Sequence, residues 1–312
     1  MDDVIIIGRD NAYGLSRDVA ILKEGLTGSG RAVNIARPGD RGLLDWLLKR
    51  RRANIVVHLE RVFPRWLGAG RANWLIPNEE RFPRRHLPRL AHIDLVLTKT
   101  HHGQAVFSAL GAPTAHSGFT SPDRRLVGVE KDWRRALHLA GGSTLKGTED
   151  VLAVWARHPE WPELVLVQKA ANAPRAVPAN VRLIAGYLDD AGLQRLQNEC
   201  GIHLCPSRSE GWGHYILEGM SCGSVVVTTD APPMNEHVTA ETGILVPWSR
   251  SEPRHMGKNH YVEPDSLESA IARLLEEGET SKSAIGKAAR MRYEAIAASF
   301  DASLRSLVSS PS

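Results

Sequence analysis

Short apolar runs recur along this 312-residue chain, each closed by a turn and most followed by a helical stretch. Runs of this kind suit strands buried on both faces. Alternation with helices makes their pairing parallel, because each crossover returns the chain to the same end of the sheet. In the first part of the chain the strand candidates are residues 4–7, 32–35, 54–58, 73–76 and 95–98, with helical stretches over 15–26 and 42–51. In the second part they start at residue 136 and continue with 164–167, 181–188, 201–205, 224–228 and 243–246, with helices over 148–155 and 190–198. The expected class is α/β, two Rossmann-like doubly wound domains whose ligands bind at the carboxyl ends of the strands.

Composition agrees. With 42% hydrophobic and 24% charged residues the chain can bury substantial cores, and its length exceeds that of a usual single domain. It opens on Asp2-Asp3 and the strand-like Val4-Ile5-Ile6-Ile7-Gly8, without a basic leader, a long apolar segment or a cleavage-like site. The expectation is therefore a cytoplasmic protein with no transmembrane segment. Cys200, Cys205 and Cys222 are odd in number and lack paired C-x-x-C spacing, which fits reduced, buried thiols and implies no metal site.

The stretch richest in chemistry is Ser209-Glu210-Gly211-Trp212-Gly213-His214-Tyr215-Ile216-Leu217-Glu218, which follows a strand ended by Pro206-Ser207. Gly211 and Gly213 permit positive-φ turns and close backbone approach. The amides that open the next helix, at His214, Tyr215 and Ile216, can then face a phosphate. Glu218, about a turn inside that helix, can accept two hydroxyl hydrogen bonds from a ribose, while Glu210 sits on the loop before it. The spacing alone would equally fit an ordinary loop acid and a solvated helix acid; the flanking residues decide.

Those flanks are Pro206-Ser207, Glu210-Gly211, Gly213, Glu218, Gly223, Val225-Val226-Val227 and Gly243-Ile244-Leu245-Val246. Over residues 136–248 this pattern resembles the donor half of retaining GT-B glycosyltransferases of the group 1, or family 4-like, kind. The resemblance implies two such domains facing a cleft, with Glu218 on the ribose and Glu210 on the donor sugar. Lys146, in Ala140-Gly141-Gly142-Ser143-Thr144-Leu145-Lys146-Gly147, is similar to the family's pyrophosphate lysine. A fixed ammonium there stabilises the charge that a leaving nucleoside diphosphate gains, without a metal. Where the family usually carries an arginine after the strand, this chain has Gly142-Ser143-Thr144. Either loop amides and Ser143 replace it, another basic residue reaches in, or turnover is slow. The resemblance also places Tyr187 and Leu188 by the nucleobase, although core packing suits Leu188 better, and puts Met234 and Asn235 along the donor sugar. It implies no cofactor beyond the co-substrate, a nucleoside diphosphate sugar, with UDP-sugar the default.

Domain bounds follow as 1–120 for a shortened acceptor-side domain, 121–280 for the donor domain, and 281–312 for a terminal helix that braces the first. Strand ends in the first domain supply the acceptor-side candidates Asn11, Tyr13, Gly14, His58, Glu60, Asn78, Glu79 and His101. Residues 1–120 hold 18 Lys and Arg against 11 Asp and Glu, net +7, which leaves 21 against 24, net −3, for the remainder. The excess, in Lys49-Arg50-Arg51-Arg52, 61–71 and 81–89, lies among Trp46, Phe63, Trp66 and Trp74. A basic face of this kind fits a nucleic-acid acceptor, an anionic membrane surface carrying a glycan or glycolipid acceptor, or simply a solvated arginine-rich surface. The enzyme expected is a retaining, metal-independent hexosyltransferase with Lys146 and Glu210 as catalytic residues. Its rival is a catalytically degenerate GT-B-fold nucleic-acid-binding module.

Overall fold

The computed structural model describes residues 2–9, 14–186 and 188–309. The chain divides into two compact units, one of Met1–Thr120, Pro253–Gly257 and Ile296–Ser312, the other of Ser121–Glu252 and Lys258–Ala295.

The first unit contains β1 (Asp2–Ile7), α1 (Gly14–Gly28), β2 (Val33–Ala36), α2 (Leu43–Leu47), β3 (Ala53–Glu60), β4 (Ala72–Pro77), β5 (Leu95–Thr98), α3 (His101–Ala109) and β6 (Thr114–His116). Its strands form one sheet in the order β2-β1-β3-β4-β5-β6, with every pair parallel. The apolar runs are needed because residues such as Ile6, Val56, Leu75 and Val96 are almost wholly buried, each contributing roughly 1.5–3 kcal/mol on leaving water. Among the described residues one buried cluster gathers around Ile5, Ile7, Val56 and Trp66, and another around Leu75, Phe82, Val96 and Phe107.

The second unit is built from β7 (Asp132–Gly141), α4 (Thr148–Arg157), β8 (Leu164–Gln168), β9 (Val181–Ile184), α5 (Asp190–Glu199), β10 (Cys200–Cys205), α6 (His214–Ser221), β11 (Val225–Thr229), α7 (Met234–His237), β12 (Gly243–Val246), most of β13 (Trp248–Arg254) and of β14 (Gly257–Val262), α8 (Pro264–Glu276) and the start of α9 (Glu279–Ser309). The sheet runs β12-β11-β10-β7-β8-β9, again all parallel. Counted from its own first strand this is the doubly wound order 3-2-1-4-5-6.

Two expectations change and one hairpin is new. The helix read over 42–51 is confined to α2, since Lys49 turns into the left-handed region at φ 48° and ends it. Residues 248–262, which the sequence left without an element, form the β13–β14 hairpin, whose seven- and six-residue strands have too polar a composition to signal themselves. The strand read over 181–188 stops at Ile184. The three cysteines are free and buried, as expected, and among the described residues no helix is long and apolar enough to cross a membrane.

Candidate active site

Strands β7 and β10 are neighbours in the second sheet, but their outgoing connections lead to opposite sides, which makes their carboxyl ends the switch point where the loops part. Both loops there are tightly specified. β7 ends on Gly141 at φ 55°, and Gly147, at φ 70°, caps α4. A Cβ on Gly147 would stand 2.3 Å from the Pro206 carbonyl oxygen, so only glycine lets the two loops touch. The Arg208 N–H donates to the Leu145 carbonyl at 2.8 Å, tying the second loop to the first. Beneath them, buried His138 donates from Nδ1 to the Leu204 carbonyl at 2.8 Å and accepts the Thr148 hydroxyl at Nε2 at 3.0 Å. Burial drives its pKa down to about 4, so it serves as a neutral strut between β7, β10 and α4.

Lys146 and Glu210 meet on this scaffold. The ammonium lies 2.5 Å from Glu210 Oε1, with side chains 16% and 14% exposed. Ser207 donates to the same carboxylate oxygen, and the Tyr215 hydroxyl lies 2.6 Å from Ser207 Oγ. Lys146 Nζ also stands 3.5 Å from the centre of the Tyr215 ring, a cation–π contact that holds the ammonium from a second side. Tyr215 is buried, which raises its pKa well above the usual phenol value and keeps it a neutral donor. The two residues that sequence pattern assigned to phosphate and sugar are thus each other's counter-ions.

Gly213 adopts φ 86° at the start of α6, as the sequence requires. Trp212 does not line an open wall. It is 6% exposed, its indole N–H donates to Ser121 Oγ at 3.2 Å, and its carbonyl accepts from His237 Nε2 at 2.6 Å. His214 Nδ1 lies 2.9 Å from the same Ser121 hydroxyl. Ile216 is fully buried. Glu218 is also fully buried, and Gln197 Nε2 donates to its Oε2 at 2.9 Å. Gln197 is held in turn by Arg124 Nε at 2.9 Å, which forms an arginine–glutamine–glutamate chain. Ser121, Arg124 and Gln197 had no motif to announce them; Ser207 stood beside the motif without a stated role. The loop after β7 carries Gly142, whose backbone packs on the Lys169 stem, and Ser143, whose hydroxyl accepts from the Leu145 N–H at 3.1 Å. Leu188 packs against the core around Leu137, Val165 and Leu196. Met234 is buried, and Asn235 donates to Asp230 at 3.0 Å. Tyr187 lies outside the described residues.

In the first unit, Gly14 opens α1, while Asn11 and Tyr13 lie outside the described residues. His58 is packed inward: it is fully buried, its Nδ1 accepts from the Phe63 N–H at 3.1 Å, its Nε2 faces Asn73 at 3.4 Å, and burial lowers its pKa to about 4. Glu60, at φ 65°, pairs with Arg61 at 2.6 Å. Asn78 accepts from Lys99 at 3.1 Å, and Lys99 forms a buried 2.6 Å ion pair with Asp18 that the sequence did not signal. Glu79 is buried, with its carbonyl accepting from Met256 at 3.1 Å. His101 is exposed and stacks on His116 with ring centres 3.8 Å apart. Among the described residues no three His, Cys, Asp or Glu side chains are grouped to hold a metal ion.

Residues 145–277 match the family model described as glycosyl transferases group 1. Sucrose-phosphate synthase from Thermosynechococcus elongatus superposes over 99% of this chain and 100% of its own, with a TM-score of 0.74 at 16% identity. HepE from Anabaena, solved with UDP-glucose, covers 100% of both chains with a TM-score of 0.72 at 15% identity. The fold is GT-B. A glycosyltransferase from Rickettsia africae shares this GT-B architecture over 99% of the chain and 97% of its own, with a TM-score of 0.74 at 13% identity. No curated protein sequence matches the chain. The matched segment begins at Leu145, beside Lys146, and takes in Glu210 and Glu218.

Proposed function

We propose that the chain is a retaining glycosyltransferase that moves a hexose-type sugar from a UDP-sugar to a hydroxyl of a bulky or anionic acceptor. The observation that carries this reading is the Lys146–Glu210 pair at the switch point between β7 and β10. The two charges neutralise each other. A diphosphate entering beside Gly141, Gly142 and Ser143 takes over the ammonium, and the released Glu210 carboxylate accepts a hydroxyl of the donor sugar. Amides at Gly213, His214 and Tyr215 offer further N–H groups to the phosphates, whereas that of Ile216, expected to join them, donates to the Gly213 carbonyl at 2.9 Å. Glu218, held by Gln197 and Arg124, is the ribose acceptor. HepE, solved with UDP-glucose on the same fold, supports uridine as the nucleoside.

The chemistry follows from this charge arrangement. As the bond from the anomeric carbon to the diphosphate oxygen breaks, negative charge grows on the leaving group and Lys146 stabilises it, with no metal needed for that step. The acceptor oxygen bonds to the same face of the sugar and its proton passes to the departing phosphate. The basic character of residues 1–120 supports an anionic acceptor, a nucleic acid or an envelope glycan or glycolipid. The test is hydrolysis of UDP-glucose followed by proton NMR: α-glucose should appear first, and initial β-glucose would refute retention.

A further inference from the structure

Residues 41–52 of the first unit form a braced apolar knuckle. Leu43, Leu44, Leu47 and Leu48 are 58%, 73%, 65% and 60% exposed, and Trp46 beside them is 39% exposed. Monomer surfaces rarely gather apolar side chains this densely without a partner. The knuckle is not a loose loop. Arg41 is fully buried beneath it, donating from Nη1 to the carbonyls of Arg65 at 2.5 Å and Leu67 at 3.1 Å, and from Nη2 to those of Asp45 at 3.2 Å and Arg50 at 3.1 Å. One guanidinium therefore clamps both limbs of the turn to the body, while Arg52 and Arg50 close on Asp45 from the side. The side chains that would normally collapse inward are held out.

The surroundings select the occupant. Arg41, Lys49, Arg50, Arg51 and Arg52 against Asp45 give residues 41–52 a net charge of +4. A second copy docking the same patch by two-fold symmetry would bring like charges together. A nucleic acid would satisfy the arginines but leave four leucines facing phosphate and water. Only a surface with an anionic skin and a hydrocarbon interior matches both halves. We infer that α2 and its basic flank seat the protein on an anionic lipid bilayer, with Leu43, Leu44, Leu47 and Leu48 in the acyl boundary and residues 49–52 at the headgroups. Five residues of helix cannot span a bilayer, so this is monotopic docking within one leaflet. It places the chain where a membrane-borne acceptor would be, and it stands whether or not the sugar-transfer reading holds, since the second unit's residues play no part in it.

The test is co-sedimentation of the whole chain with phosphatidylcholine vesicles containing or lacking phosphatidylglycerol. The chain should bind the anionic vesicles and release at high salt, and Leu44→Asp/Leu47→Asp should weaken binding by about thirtyfold or more while the melting temperature holds. Arg50→Gln/Arg51→Gln should weaken it about fivefold per charge removed, and serves alone should the leucine variant not fold. UDP-sugar binding measured in parallel should be the same in all three proteins, which separates failure of docking from failure of the donor site. Binding that survives loss of the leucines, absence of binding to either vesicle, leucine-dependent dimerisation in sedimentation velocity, or preferential capture of duplex DNA would each overturn the inference.

Discussion

Lowering the pH from 7.5 to 5 should destabilise the second unit steeply, through three histidines sealed in its core. His138 and His237 are driven by burial to about 4 and His203 to about 3, against an ordinary value of 6.5. All three are 3% exposed or less, and each is committed to a backbone carbonyl: His138 to Leu204, His203 to Gln197 and His237 to Trp212. The unfolded chain protonates these rings near pH 6.5 while the folded chain keeps them neutral. Stability is therefore intact above pH 6.5 and is lost as pH falls towards 4. At pH 5 each ring costs about 2 kcal/mol, and the three together about 6 kcal/mol, comparable with the whole stability of an ordinary domain. Urea unfolding followed by tryptophan fluorescence at pH 7.5, 6 and 5 reads this directly. His203→Gln, which keeps a donor for the Gln197 carbonyl, should remove about a third of the dependence. A midpoint that does not move between pH 7.5 and 5 would refute the claim that these rings are buried neutral struts.

Two local perturbations follow from the same geometry. Gly147→Ala must lose both its left-handed conformation and its 2.3 Å approach to Pro206, so it should cost about 3 kcal/mol and loosen the loop that carries Lys146, seen as a lowered melting temperature together with weaker donor binding. Arg41→Met strands the carbonyls of Asp45, Arg50, Arg65 and Leu67 beneath the apolar knuckle, and should cost about 3 kcal/mol with the first hydrogen-exchange protection lost in residues 43–52.

Much of the fold was legible because parallel strands covered on both faces have to be apolar. Val225-Val226-Val227 and Leu164-Val165-Leu166-Val167 admit no other comfortable fate, and all seven residues are buried. The β13–β14 hairpin was not, because Trp248 to Arg254 bury none of their residues and show neither an apolar run nor alternation. Lys146, Glu210 and the positive-φ Gly213 stood out in the sequence because their chemistry is local to two loops. The supports could not. Gln197 reaches Glu218 from 21 positions away and Arg124 reaches Gln197 from 73, and nothing at either position marks the register that brings them together. His58 misled for a related reason: it stands near a strand end but in the inward half of the pleat, where Phe63 and Asn73 complete its hydrogen bonds. Glu218 is the helix acid expected, but its hydrogen bond from Gln197 and its burial are set by tertiary packing rather than by its neighbours in sequence.

Thermal unfolding with UDP-, GDP-, ADP- and TDP-sugars, on the unsubstituted chain and on Lys146→Ala and Glu218→Ala, tests the donor site most directly. Saturation at a hundred times Kd should add about 2.7 kcal/mol, a rise of about 5–10 °C for a unit of this size. That rise should come with UDP-sugar and disappear in both variants. Silence across all four nucleotides, or a UDP-sugar shift undiminished in both variants, would contradict the assignment of Lys146, Glu210 and Glu218 to a nucleotide-sugar site.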